Sequence, residues 1–388
     1  MSKYLHLFST DNQFQSAYTG EDYKEPWVSY TEEPERVDYN KTEEEKMPIT
    51  PLTFEILSDG VVAWTFNSTA STSYLPWTVW KMHYKKNGGE LQELGTEFPS
   101  TTSNATSYTD TISVTRGDVI EFIDTCETSR NGAGGDTYCS HSFSGTTAQF
   151  KVKGNIASTI YGDNFSGKES FPGSGKEYQL YGFFKDCVTL VDASMIYINL
   201  TGDSAQESYM SMFSGCKNMA HGPKYLPGGR LSTRWYQNMF YGCEKLLEAP
   251  EFTSPITCAY TNCCYSMFSG CTSLVKAMPV VGSPNMGSFR KQGNDGYFEK
   301  MFAGCTSLEI APELPWLSVK DNAYVEMFNG CTKLKQVKCL ATTLNTNSTT
   351  NWLNGVSASG TFMKSASMAG WTSGADGIPN GWTIEDAS

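Results

Sequence analysis

The sequence predicts a multidomain, β-rich fold: an N-terminal segment (1–48), an all-β sandwich (49–160), an α/β repeat solenoid (161–338) and a C-terminal cap (339–388). Three observations predict it. A seven-residue motif recurs six times in the second half of the chain, and short β-type runs separated by turn residues occupy much of the first. The composition, 13% aromatic and 18% charged with 35 Gly, is more typical of β-rich and turn-rich folds than of charged helical bundles.

Length and charge limit the classes of function. The 388 residues are enough for two or three folded units at about 100–200 residues each. The net charge is −12 and no cluster of Lys and Arg is present, whereas proteins that bind a phosphate backbone use clustered basic residues to release counterions. Met1 to Phe14 has no apolar stretch of the signal-peptide type, and no run approaches the ~18 apolar residues of a membrane-spanning helix. We therefore expect a soluble chain with no nucleic-acid partner and no membrane insertion.

The N-terminal segment combines acidic charge with aromatic side chains. Its first 46 residues hold eleven acidic and five basic residues, which gives −6 of the total charge. Disordered tails are poor in aromatics, so a short segment rich in them is typical of a peptide that folds on docking to a partner. A segment packed on its own chain is the alternative. The predicted anchor residues are Tyr4, Phe8, Trp27, Tyr30 and Tyr39.

Residues 51 to about 160 are predicted to form a sandwich of the immunoglobulin-like class. Runs such as Val61-Val-Ala-Trp-Thr-Phe66 and Val119-Ile-Glu-Phe-Ile123 are β-type, and Asn87-Gly88-Gly89 is a strong hairpin signal. Six or seven strands at this spacing suit two sheets that bury alternate residues between them. Arg116-Gly117-Asp118 is interpreted as a second turn, although it also spells an integrin-type tripeptide.

The repeat motif is Phe-x-Gly-Cys-x-x-Leu, with an Asp in place of the Gly in the first copy. Its Cys residues are separated by 29, 27, 28, 34 and 26 residues. A residue that recurs once per repeat is most simply a small buried hydrophobe in a ladder, as free Cys favours, rather than part of a disulfide scaffold or a zinc site. The predicted repeat core is Phe184, Cys187, Phe213, Cys216, Phe240, Cys243, Phe268, Cys271, Phe302, Cys305, Phe328 and Cys331.

Each repeat is predicted to run as helix, tight turn, short strand and loop. An aromatic residue precedes a Met by three positions in most repeats, as in Tyr209 and Met212, and this spacing fits one face of a short helix. The Gly before each Cys suits the left-handed residue that ends a helix, and Pro, as in Ala311-Pro312, prevents its return. A single unit cannot bury its apolar face, but stacked units form the continuous core of a leucine-rich-repeat solenoid.

Two further segments accompany the array. Gly282 to Gly296 is an insertion, and insertions in solenoids map to loops on one face, often the binding face; a tolerated surface loop is the alternative. The stretch from Cys339 to Trp382 drops the motif but holds Trp352, Phe362 and Trp371. We interpret it as a cap, because the last repeat of a solenoid must cover an otherwise exposed core.

The chain offers little catalytic chemistry. Its four His, at positions 6, 83, 141 and 221, lie in different regions, and no Ser or Cys stands in a nucleophile elbow or beside an evident base. Walker, Rossmann, zinc-protease and EF-hand patterns are missing, and no pair of carboxylates is singled out for glycoside hydrolysis. Cys258, Cys263 and Cys264 lie close together but lack the paired spacing of a zinc site. We expect no enzymatic activity, no cofactor and no metal.

The repeats resemble those of a known family. Met301-Phe-Ala-Gly-Cys-Thr-Ser-Leu308, followed by Ala311-Pro-Glu-Leu-Pro315, is similar to the BspA-like leucine-rich repeats of gut Bacteroides proteins and of the phages that infect these bacteria. Trp352 to Phe362 and Gly377-Ile-Pro-Asn-Gly-Trp382 are similar to the closing segment of the same proteins, and Gly154 to Asp163 to their linker.

The N-terminus carries a second resemblance. Tyr4-Leu-His-Leu-Phe8, Glu25-Pro-Trp-Val-Ser-Tyr-Thr-Glu32 and Val37-Asp-Tyr-Asn40 are similar to the opening module of virion proteins from crAss-like and other Bacteroides phages. The resemblance implies a phage virion fibre protein, commonly a homotrimer, that is made in the bacterial cytoplasm and lies on the virion surface.

The resemblance also implies partners. The N-terminus would attach to the phage capsid or another virion protein, and we expect a capsid head fibre because no long shaft is visible. The repeats would adhere to host-surface or mucin glycans. The alternatives are a tail fibre or receptor-binding protein, a bacterial cell-surface adhesin, against which the missing signal peptide argues, and a tail-associated depolymerase, which lacks an identifiable acid pair.

Overall fold

The computed structural model describes residues 50–68, 79–97, 106–123, 139–171, 180–202, 207–254, 256–278, 296–345, 347–368 and 370–387. All of them belong to one compact unit, 38–388. Residues 1–49, which hold the predicted anchor, lie outside the described part, and so do residues 279–295, which hold all of the predicted insertion except Gly296.

The first half of the described chain forms two sheets. Its strands are β1 (Leu52–Ile56), β2 (Gly60–Ser68), β3 (Val79–Lys86), β4 (Leu91–Glu97), β5 (Thr106–Val114), β6 (Val119–Phe122), β7 (Cys139–Ser142), β8 (Phe150–Asn155) and β9 (Leu190–Tyr197). The larger sheet has the order β4-β3-β6-β1-β8-β9, and the smaller has the order β5-β2-β7. Neighbouring strands are antiparallel except β8 and β9, which are parallel.

The two sheets contribute to one buried core. Phe54 on β1 lies at its centre, with its ring 4.4 Å from that of Phe150 and 4.8 Å from that of Phe122 on the flanking strands. Trp64 and Phe66 on β2 of the smaller sheet belong to the same cluster. Aromatic pairs at such cross-strand positions stabilise a sheet by roughly 0.2–1 kcal/mol each, in addition to the apolar surface that they bury.

Helix is almost absent from the described residues. They contain one α-helical turn, α1 (Ser158–Tyr161), and one 3-10 turn (Gly162–Asn164). The helices predicted in the repeats are therefore wrong, and the solenoid is of the β type, with about six turns over residues 225–386. Its strands are β10 (Tyr225–Leu226), β11 (Gly229–Leu231), β12 (Glu251–Phe252), β13 (Ile256–Ala259), β14 (Ser318–Val319), β15 (Gln336–Cys339), β16 (Thr343–Leu344), β17 (Thr361–Lys364) and β18 (Thr383–Asp386).

Parallel pairing joins the strands of successive coils, where a coil is one turn of the solenoid. The pairs are β10 with β12, β11 with β13, and β14 with β16, and β15, β17 and β18 form a three-stranded sheet. Strands β17 and β18 lie in the segment predicted as a cap, so coils of the same kind continue through that segment.

The backbone shows why the predicted helices do not form. In one coil Ser214 N–H donates to Ser211 O, three residues back, at 3.1 Å. The N–H groups on either side of it point to the next coil: Phe213 donates to Met239 O at 2.9 Å, and Gly215 donates to the next coil at 2.7 Å. An α-helix would satisfy all of these donors four residues back within one segment. Here every second donor joins neighbouring coils, and the segment is a run of consecutive β-turns.

Left-handed residues recur every four positions in these runs. The motif Gly occupies one such position, with φ between 69° and 79° in Gly215, Gly242, Gly270, Gly304 and Gly330, as predicted. The same conformation occurs eight and four residues earlier, at Glu207 (φ 56°) and Ser211 (φ 57°) for example. Each left-handed residue with a side chain costs about 1–2 kcal/mol, so the bonds between coils and the buried core must offset that strain.

Candidate functional site

The six motif Phe residues form a continuous ring stack. Consecutive ring centroids, from Phe184 to Phe328, are 5.3–5.7 Å apart and their planes lie within 10° of parallel. All six side chains are buried. Stacking of this kind adds about 0.5–1.5 kcal/mol per pair to the burial of the rings, so the stack is a major source of cohesion between coils.

The six motif Cys residues form a second ladder beside the rings. Five of the thiols, from Cys216 to Cys331, point at the carbonyl of the motif Phe one coil back: Cys243 Sγ lies 3.0 Å from Phe213 O, and the other four pairs lie at 3.0–3.2 Å. The same carbonyl also accepts the N–H of Cys216 in its own coil at 3.1 Å. The thiol is therefore a hydrogen-bond donor as well as a small buried side chain, and the sequence pattern predicts only the second role.

Burial keeps these thiols protonated. It raises the pKa of Cys187 to about 11 and that of Cys331 to about 12, and it raises the pKa of Cys216, Cys271 and Cys305 well above the usual value. The thiolate is the form that attacks electrophiles and binds metals. At neutral pH the thiols of the ladder are therefore in the protonated form, which is the weaker nucleophile. All six motif cysteines are free thiols, and so are Cys263, Cys264 and Cys339.

The ladder begins in the sheet region and not in the first repeat. Phe143 follows β7, and its ring stacks on Phe184 at 6.0 Å with a 26° angle between the planes. Cys187 Sγ lies 3.3 Å from Phe143 O, which repeats the bond found between coils. Phe143-Ser144-Gly145 reproduces the first three motif residues, so it is the signal that could have revealed this rung from the sequence.

At the other end, two tryptophans form a separate aromatic stack on Tyr324, beside the motif Phe residues. The Trp352 ring lies 6.3 Å from Tyr324, and Trp371 stacks on Trp352 at 5.4 Å with planes 3° apart. Phe362 meets both tryptophans edge-on. Trp352 Nε1–H donates to the carbonyl of Gly377 at 2.8 Å, which locks the ring in place.

Charged side chains on the coil surface pair with the neighbouring coil. The pairs are Lys217 with Glu244 (3.0 Å), Lys276 with Glu248 (3.5 Å), Lys335 with Glu309 (2.6 Å) and Lys338 with Glu313 (2.9 Å). Pairs this exposed contribute about 0–1 kcal/mol each. We infer that they favour the correct register between coils more than they raise stability.

The Arg116-Gly117-Asp118 tripeptide lies in the turn between β5 and β6, as predicted. Asp118 is buried, and its carboxylate accepts from Asn87 Nδ2 at 2.8 Å and pairs with Lys86 Nζ at 2.8 Å. Those partners, with the Thr115 N–H, hold the pKa of Asp118 well below its usual range. A carboxylate engaged in this way is not available to an external partner.

The remaining sequence predictions concern the anchor residues, metal binding and membrane insertion. The anchor residues Tyr4, Phe8, Trp27, Tyr30 and Tyr39 lie outside the described residues. In the part of the chain that the structure describes, no group of three or more His, Cys, Asp or Glu could hold a metal ion. No helix among the same residues is long and apolar enough to cross a membrane.

The comparisons with known proteins returned no relative. No protein-family model matches the chain, and no curated protein or solved structure matches it.

Proposed function

We propose that this chain is a structural protein of a bacteriophage virion, a capsid head fibre that attaches to the particle through residues 1–48 and displays its solenoid for adhesion to host-surface or mucin glycans. On this proposal it acts as a homotrimer on the virion surface, after synthesis in the bacterial cytoplasm, and it is not an enzyme. The proposal also assigns residues 49–160 to the immunoglobulin-like class and the coils to the leucine-rich-repeat class.

The observation that carries the proposal is the division of the chain into two chemically different parts. Residues 1–48 are acidic and aromatic, resemble the opening module of phage virion proteins and have little mass for a core of their own. The rest is a single compact unit whose interior holds protonated thiols and stacked rings. An inert, repetitive interior suits a scaffold for a display surface better than it suits a reaction centre.

The coil surface supports an adhesive role. Leu247 and Val275 are neighbours across a coil boundary, since Val275 N–H donates to Leu247 O at 2.9 Å. Their side chains are 38% and 45% exposed, and Tyr241, on the same coil as Leu247, is 50% exposed. Exposed apolar side chains that adjoin one another are typical of contact surfaces, whereas single ones are ordinary.

The attachment can be tested in particles. A phage that encodes the chain without residues 1–48 should yield particles lacking it, while the truncated chain accumulates folded in the lysate. The double variant E32Q/E33Q keeps every aromatic residue of the segment, and it should still be incorporated. Retention of the truncated chain in purified particles would overturn the attachment, and immunogold labelling of intact particles would separate a head fibre from a tail fibre.

A bacterial surface adhesin is the other class of protein that carries such repeats. If the chain is exported, it should be found on uninfected Bacteroides cells and be absent from purified particles. That distribution would replace the virion proposal with the adhesin.

A further inference from the structure

A cleft lies at the C-terminal end of the solenoid, beside the last tryptophans of the chain. Its volume is about 310 Å³, and its wall includes Trp371, Trp382 and Ile384 with the polar side chains of Lys364, Thr372 and Asn380. This volume is at the small end of the range for ligand pockets, which start at roughly 300 Å³, and it suits one compact unit of a ligand.

The aromatic wall of the cleft is the end of a second column of rings, in which Trp352 stacks on Tyr324 and Trp371 stacks on Trp352. Trp371 is covered on one side by Trp352, 5.4 Å away, and Phe362 meets it edge-on, yet the residue remains partly exposed and lines the cleft. In the motif Phe stack each interior ring has a ring neighbour in both adjoining coils. No ring among the described residues extends the stack beyond Trp371, so a flat apolar face bound in the cleft would take that place.

The second wall is held rigidly. Trp382 is 7% exposed, and its Nε1–H donates to Ser357 O at 2.8 Å. Its ring packs where Gly360 lacks a side chain, because a Cβ at that position would lie 2.8 Å from the indole. A preformed wall binds a ligand without the cost of ordering its own side chains.

The polar groups around the cleft define the chemistry of the ligand. Lys364 Nζ is already paired with Asp386 Oδ1 at 2.5 Å, so the cleft offers no strong attraction for an anion. Thr372 and Asn380 are exposed and offer a hydroxyl and an amide, which donate and accept hydrogen bonds. A pyranose ring combines an apolar C–H face with neutral hydroxyl groups around its edge, and it matches both the aromatic wall and this rim.

We propose that the cleft binds one neutral pyranose unit of a glycan, with the sugar stacked on Trp371 and its hydroxyls bonded to Thr372 and Asn380. This inference rests on the proposed adhesive function and assigns it a location at the end of the solenoid. The stack predicts selectivity for sugars with a continuous apolar face, and the paired Lys364 predicts no preference for acidic sugars.

The test measures the binding of the methyl glycosides of glucose, galactose, mannose and N-acetylglucosamine to the full chain by saturation-transfer NMR. At least one glycoside should bind with a dissociation constant in the millimolar range. The double variant T372A/N380A should weaken that binding at least tenfold, and W371F should weaken it several-fold while keeping an aromatic ring in the stack. T332A/N354A, which changes the same residue types at exposed positions outside the cleft, should bind like the wild type.

Three outcomes would overturn the inference. The first is no saturation transfer to any of the four glycosides, and the second is unchanged affinity in T372A/N380A. The third is self-association that T372A/N380A abolishes in sedimentation experiments, which would assign the cleft to a second copy of the chain. Thermal melts of each variant establish that it is folded, and if W371F does not fold, the rim variant alone decides.

Adhesion assays distinguish this inference from the proposed function. If the wild type and T372A/N380A adhere equally to mucin or host cells, the cleft is not the site and the adhesive function stands. If the wild type binds a glycoside in the cleft but does not adhere, the adhesive function fails and the site stands.

Discussion

Trp64 Nε1–H donates a hydrogen bond to Nδ1 of His141 at 2.9 Å, across the smaller sheet from β2 to β7. Both side chains are buried. Because Nδ1 is the acceptor, the neutral imidazole carries its proton on Nε2. Burial lowers the pKa of His141 to about 3, so this histidine stays neutral in the folded protein through the physiological range.

We predict that His141 makes the fold sensitive to mild acid. The unfolded imidazole takes up a proton below its ordinary pKa of about 6.5, whereas the folded one does not until about pH 3. The unfolded state therefore binds more protons in this window, and the free energy of unfolding falls by about 1.4 kcal/mol per pH unit as the pH drops from 6.5. Urea denaturation at pH 7.5, 6.0 and 5.0 measures the slope.

His141→Gln should reduce stability at pH 7.5 and remove most of this slope. His83→Gln is the matched control, because the His83 side chain is about one-third exposed. An unchanged slope in His141→Gln would show that other groups govern the acid response.

The buried thiols predict that the free energy of unfolding also falls in alkali. Unfolded thiols ionise near pH 9, while the folded pKa is about 11 for Cys187 and about 12 for Cys331 and Cys339. Their stabilising effect is complete below pH 9 and is lost as the pH rises toward those values, by about 1.4 kcal/mol per pH unit for each thiol. Unfolding midpoints at pH 8, 9 and 10 under reducing conditions should fall progressively, and Cys331→Ala should shallow the decline.

The same burial predicts chemical protection. Iodoacetamide at pH 8 should leave the six motif cysteines unmodified in the folded protein and alkylate all of them in urea, as mass spectrometry of peptides would show. Bridges or rapid native labelling at these positions would contradict the thiol ladder.

The bond between thiol and carbonyl predicts a ranking of substitutions at Cys271, whose Sγ lies 3.1 Å from Phe240 O. Cys271→Ala removes both volume and donor and should reduce the free energy of unfolding by about 1–3 kcal/mol. Cys271→Ser keeps a donor of similar size and should lie closer to the wild type. If serine is no better than alanine in chemical denaturation, the thiol acts only by filling space.

The left-handed positions predict a second contrast. Gly304 has φ 74°, so Gly304→Ala should cost about 1–2 kcal/mol even where space is adequate. Asn322 has φ 57° and carries a side chain, so Asn322→Gly relieves strain in the same type of run and should change stability little or raise it. Thermal unfolding of both variants measures the contrast, and similar losses in the two would remove backbone conformation as the cause.

The sequence predicts some of the backbone conformations of this fold and misses others. The Gly preceding Cys271 stands where only a positive φ suits the turn, and the pattern identified its conformation correctly. Tyr209 and Met212 are both buried, but three-residue spacing is shared by a helix and by consecutive turns with left-handed residues, so the periodicity could not separate the two. Ser211 and Glu207 adopt positive φ without being glycine or asparagine, and no composition signal marks them.

The functional features divide in a similar way. The motif Phe and Cys positions could be found because they repeat. The role of a thiol such as Cys243 as a donor depends on the carbonyl one coil away, which is a tertiary relationship. The cleft beside Trp371 and Trp382 arises from two segments folding against each other, and no local pattern encodes it.

The parallel pairing of β8 with β9 has a mechanical consequence. Because β8 and β9 are neighbouring strands of the larger sheet, the backbone hydrogen bonds between them lie side by side. The Phe143 ring contacts Phe184 at the same junction. A force applied parallel to the two strands loads several of these hydrogen bonds at once and not one after another. A fragment that starts within the repeats would lose this junction, which leaves the side of β9 that faces β8 unpaired and Phe184 without its Phe143 neighbour. An intact junction therefore requires both the sheets and the coils.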